Sequence, residues 1–92
     1  MAHSTKTNNH YPINGILDLH TFRPEDLGSL IPDYIDACLD KEIYHLRIVH
    51  GKGVGNLRRS VHALLDRNPY VENYQLAGDR SGWGATLVEL KH

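Results

Sequence analysis

The chain is poor in the residues that stabilise small proteins covalently or anchor them in lipid: it has one Cys, one Met, one Trp and one Phe in 92 residues. A single thiol, Cys38, excludes an internal disulfide framework and any cysteine-rich zinc site. Apolar runs never exceed three residues, whereas a membrane helix needs about 20, so no spanning segment is expected. The first ten residues have no apolar stretch of the signal-peptide kind, and the expected location is the cytoplasm. Charge of one sign is also lacking. Ten Lys and Arg against eleven Asp and Glu give a net charge of −1, which provides no bulk attraction to nucleic acid or anionic lipid. Any polyanion site must be local. What is present suffices for one domain: 40% of the residues are hydrophobic, enough for a single core.

Residues 1–12 are polar, aperiodic and end at Pro12, as in a flexible arm, which leaves 13–92 as the folded domain. Ile16 to His20 has the apolar character of a short strand. Pro24, Glu25 and Asp26 suit the opening of a helix. Leu27, Leu30, Ile31, Tyr34, Ile35, Cys38 and Leu39 continue it as one stripe to about Lys41. Pro32 implies either a kink or a restart near Ser29. Ile43 to Val49 reads as a second strand, running into the glycine-rich His50-Gly51-Lys52-Gly53-Val54-Gly55. Asn56 can cap a helix striped by Leu57, Val61, Leu64 and Leu65. Val71 to Ala77 and Ala85 to Leu90 complete a βαβαββ order. The crossover rule makes the first three strands parallel, so their carboxyl ends share one rim, the usual ligand site of such sheets.

Asp18 and His20, two apart on a strand, would leave one face together. A carboxylate beside an imidazole fixes its tautomer and raises its basicity, as acid–base catalysis at neutral pH requires. The bland alternative is a strand-end Asp bonded to loop amides. His50 ends the neighbouring strand, about 4.8 Å away, so His20 and His50 can face one ligand. The glycines after His50, the amino end of the next helix and Lys52 together make a phosphate cradle, although strand-to-helix turns favour glycine for conformational reasons alone. Trp83 reads equally as a stacking platform for a base, with Arg80 on a phosphate, or as a lid on the core. Four basic residues (Arg47, Lys52, Arg58, Arg59) fall between 47 and 59, and His45 and His62 are assigned to exposed surfaces without a role. No zinc-type ligand set is evident.

Leu17-Asp18-Leu19-His20, His50-Gly51-Lys52-Gly53-Val54-Gly55 and Ser81-Gly82-Trp83-Gly84-Ala85-Thr86 resemble, in order and spacing, the three signature motifs of the small MutS-related (Smr) domain, here in its stand-alone bacterial form. Thr21 and Ser81 stand where that pattern usually has Gly. The resemblance implies an α/β two-layer sandwich with a four-stranded mixed sheet, similar to the carboxyl-terminal domain of translation initiation factor three. It also implies an endonuclease that nicks DNA or cleaves RNA. The implicated positions are Asp18, His20, His50, Gly51 and Gly53. Together with the residue reading this gives Asp18, His20 and His50 as catalytic. Gly51, Lys52, Gly53, Gly55, Arg58, Arg80, Trp83 and Thr86 are the substrate-binding set. Metal dependence in the family is not uniform, which leaves a divalent cation such as Mg2+ or Mn2+ open. The rival reading is a module of the same fold that binds nucleic acid or the ribosome without cutting. A small-metabolite enzyme is disfavoured, because no dinucleotide fingerprint follows a strand.

Overall fold

The structure is a computed structural model and describes residues 12–51, 55–77 and 84–92. The elements are β1 (Ile16–Asp18), α1 (Leu27–Asp40), β2 (His45–Val49), α2 (Asn56–Arg67), β3 (Val71–Leu76) and β4 (Ala85–Leu90), with 3-10 turns at Leu19–Thr21 and Pro24–Asp26. The sheet order is β1-β2-β4-β3. β1 and β2 are parallel, and β4 is antiparallel to both β2 and β3. β3 therefore runs with β1 and β2, and the three carboxyl ends share one rim as the crossover rule requires.

One face of the sheet is buried and the other open. Leu46 and Ile48 of β2, and Val88 and Leu90 of β4, alternate with exposed or half-exposed neighbours. They join Leu17, Leu19, six α1 residues from Leu27 to Cys38, and Val61 and Leu65 of α2 in one core. Each fully buried Leu or Ile contributes roughly 1.5–3 kcal/mol, against about 1 for a net hydrogen bond. Stability therefore comes mainly from this layer. Tyr34 is wholly buried, and its phenol accepts the Gly15 N–H at 3.0 Å, fastening α1 beneath the start of β1. Burial, with Cys38 close by, pushes that phenol up to about 12, and burial pushes the Cys38 thiol up to about 11. Gly15 must be glycine, since its φ is +94° and an added Cβ would lie 3.1 Å from the His45 carbonyl oxygen.

Several boundaries differ from the sequence reading for local reasons. β1 stops at Asp18, because the Asp18 carboxylate accepts the His20 N–H at 3.0 Å and Phe22 N–H donates to Leu19 O at 2.9 Å, bending the chain into a 3-10 turn. α1 passes through Pro32 without restarting at Ser29. The change of geometry falls earlier, where the Pro24–Asp26 turn meets Leu27. At the far end Glu42 adopts φ 61°, with Glu42 N–H on Leu39 O and Ile43 N–H on Cys38 O. This is the Schellman closure, and it holds Ile43 out of β2. Asn56 does not cap α2. Gly55 does, in the left-handed region at φ 88°, while the Asn56 carboxamide oxygen accepts from Arg59 at 3.4 Å.

Candidate active site

Among the described residues the rim carries two hydrogen-bonded groupings. The first is Asp18 with His20. The Asp18 carboxylate holds the His20 ring Nδ1 at 3.1 Å in addition to the backbone N–H. A carboxylate only accepts, so Nδ1 carries the proton and Nε2 is left as a bare base. The His20 and Asp18 side chains are 71% and 58% exposed, so this base stands in solvent. The pairing arises because Asp18 caps the 3-10 turn that holds His20, and not from the pleat of a strand.

The second grouping is built around His50. The register sets Asp18 opposite Val49, so His50 is the next residue beyond on the adjoining strand. Alternation gives it the same face as Ile48, and only 7% of it is exposed. Its Nδ1 lies 3.0 Å from the Gly51 carbonyl oxygen and its Nε2 2.8 Å from Thr86 Oγ1. Thr86 is wholly buried, and its hydroxyl also lies 2.8 Å from Nε2 of His62. His62 stands edge-on to His50, with ring centroids 6.2 Å apart, and packs on Tyr74 at 4.7 Å. The Tyr74 hydroxyl donates to Asp66 at 2.6 Å, closing α2 against β3. Burial first, then the His50 ring and Arg58, hold His62 below the usual imidazole range, with Asp66 opposing.

The expected residues are therefore arranged differently from the reading in several respects. Asp18, His20 and His50 do come to one rim, but the described hydrogen bonds do not join His20 to His50. Thr86, expected to meet substrate, is enclosed between two imidazoles. The amides of His50 and Gly51 both donate to the Gly84 carbonyl, at 2.9 and 2.8 Å, so neither is available to cradle a phosphate. The Arg58 guanidinium folds back to within 3.0 Å of where a Gly55 Cβ would stand, placing a full positive charge at the amino end of α2. Arg47 does not accompany it: it lines a depression of about 510 Å³ on the open face with Ile16, Gln75 and Leu87. That depression contains none of Asp18, His20 and His50. Lys52, Gly53, Arg80 and Trp83 lie outside the described residues.

His62 was missed. The available signal was its place on α2, one turn after Arg58 and three residues before the buried Leu65, on the flank of the apolar stripe. No three His, Cys, Asp or Glu side chains converge to hold a metal among the described residues. No described helix is long and apolar enough to cross a membrane.

Comparison with known proteins agrees with this architecture. The chain is 32% identical to the endonuclease MutS2 of Halothermothrix orenii over 92 residues, covering 99% of this chain and 12% of that protein. It is 45% identical to the endonuclease MutS2 of Maridesulfovibrio salexigens over 75 residues, 80% of this chain and 10% of that one. It thus spans about a tenth of the length of these curated relatives. Among solved structures, the Smr domain of Thermus thermophilus MutS2 superposes with TM-score 0.79 at 26% identity, over 86% of this chain and all of that one. YdaL, a stand-alone small MutS-related protein from Escherichia coli, superposes with TM-score 0.76 at 26% identity, over 95% of this chain and 71% of that one. The Smr domain profile matches residues 17–91, strand, rim and helices together, and the chain belongs to the Smr domain family.

Proposed function

We propose that this chain is a nucleic-acid endonuclease that hydrolyses a phosphodiester at the carboxyl rim of its sheet, nicking DNA or cleaving RNA. The observation that carries the reading is the exposed His20, whose bare Nε2 is set by the Asp18 carboxylate at 3.1 Å. In this reading Nε2 accepts the proton of the attacking water or ribose hydroxyl, while Asp18 stabilises the imidazolium that forms. His50 donates a proton to the leaving oxygen from Nδ1, the nitrogen nearer the loop. This requires substrate to displace the Gly51 carbonyl that now accepts that hydrogen. Arg58, at the amino end of α2, and Lys52 supply the charge that holds the phosphate. The names of the MutS2 relatives support a nuclease, and no step is assigned to a metal.

A second reading is favoured by a specific observation. Both His50 nitrogens are engaged and two loop amides are bonded to Gly84, which suits a module that grips nucleic acid, free or in the ribosome, without cutting. Incubation with supercoiled plasmid and with labelled single-stranded RNA, with and without chelator, separates the two readings. Cleavage is expected, and His20→Ala lowers it by about 10²–10⁴-fold with binding within a few-fold. Asp18→Asn also lowers it, through misorientation of the ring. Intact substrates in every condition leave the binding module in place of the nuclease.

A further inference from the structure

His62 is the polar group at the rim that the reaction above does not use. The carbonyl of Gly51 can only accept, so His50 Nδ1 carries a hydrogen. In the neutral ring Nε2 is then an acceptor, and the Thr86 hydroxyl must donate to it across 2.8 Å. With its single hydrogen used, Thr86 Oγ1 can only accept from His62 Nε2, also at 2.8 Å. The hydrogens therefore run in one direction, from His62 Nε2–H to Thr86 Oγ1–H to His50 Nε2. His62 Nδ1 is left bare, on a ring only half buried.

We propose that His62 is a positioning residue for His50, fixing its tautomer through Thr86 and resupplying the proton that His50 gives up. The role in cleavage rests on the nuclease reading; the hydrogen-bond order does not. The transfer balances. A proton from solvent binds His62 Nδ1, the Nε2 proton passes to Thr86 Oγ1, and the hydroxyl's own proton passes to His50 Nε2. His50 then releases its Nδ1 proton towards the rim. One proton enters and one leaves, and the two rings end neutral with their tautomers exchanged; when the product has left, a solvent proton taken up at His50 Nδ1 runs the same transfer backwards, releases one proton from His62 Nδ1 and restores the resting tautomers.

The groups facing His62 are His50 at the end of β2, Arg58 and Asp66 along α2, Tyr74 on β3 and Thr86 on β4. Arg58 and a charged His50 both oppose its protonation, and the Thr86 hydroxyl links the two rings, so that a change at one is felt at the other.

The test is two-bond proton–nitrogen correlation spectroscopy of the 15N-labelled full chain through a pH titration. The expected result is His50 protonated on Nδ1 and His62 on Nε2 at neutral pH, with the nitrogen shifts of both rings moving at a common midpoint. Thr86→Val, which keeps the volume and removes the hydroxyl, separates the two titrations. His62→Gln, which keeps an N–H donor to Thr86, leaves His50 on Nδ1 but removes the shared step. His50 protonated on Nε2 in the wild type overturns the proposal, as does a common midpoint that survives Thr86→Val. These spectra need no substrate: intact plasmid with a shared titration removes the nuclease alone, and cleavage with independent titrations removes the relay alone. Where the wild type cuts, His62→Gln lowers kcat by about 10-fold or more with KM unchanged, since the ring touches no substrate. An unchanged kcat also overturns the role.

Discussion

Acid acts on the fold through His62, the imidazole on the far side of the Thr86 hydroxyl from His50. His62 is neutral in the fold by burial and by neighbouring positive groups. The unfolded chain binds its proton near the ordinary value of about 6.5, and the folded chain only at lower pH. Stability from this residue is therefore complete above that value and declines as pH falls through it, levelling off below the folded value. Urea midpoints taken at about pH 7.5 and 5.5 are expected to drop further for the wild type than for His62→Gln. Equal drops would mean that His62 is as readily charged in the fold as outside it. Cys38 differs again: buried completely, with its thiol raised to about 11, it has little thiolate and takes no part in the chemistry.

Among the elements, the end of α1 stores a correctable defect. Glu42 occupies the left-handed position of the Schellman closure, where a side chain costs roughly 1–2 kcal/mol. Glu42→Gly removes that cost at the expense of some unfolded-state entropy, and is expected to stabilise by up to about 1 kcal/mol in urea unfolding. A fall in the midpoint would show that the Glu42 side chain makes a compensating contact. This closure was not legible in the sequence, because Glu gives no turn signal where Gly would have given one. The stripes of α1 and α2 and the alternation of β2 and β4 were legible, since burial on one face enforces period 3.6 or 2. The parallel rim followed from connection handedness, and of the motif residues Asp18, His20 and His50 stand on it. The place of β4 between β2 and β3 was not readable, because either edge would serve an antiparallel strand equally. Nor was the Thr86 link, since sequence spacing does not tell that positions 50, 62 and 86 converge.

For the molecule as a whole, net charge and local charge pull in different directions. A total of −1 gives no long-range steering, and Arg47 and Arg58 do not share one patch, because Arg47 is on the open face and Arg58 at the rim. Binding to nucleic acid is expected to be weak, with a log–log salt slope of only about −2 to −4, and Lys52→Ala should reduce the slope by about one. An unchanged slope in that variant would remove Lys52 from the phosphate contacts. The Gly84 carbonyl gives the molecule a mechanical property as well. Because it receives both the His50 and the Gly51 amide, the chain entering β4 and the chain leaving β2 are clasped at one atom. Separating them breaks two bonds together, so the His50 and Gly51 amide protons should exchange with solvent in a single event.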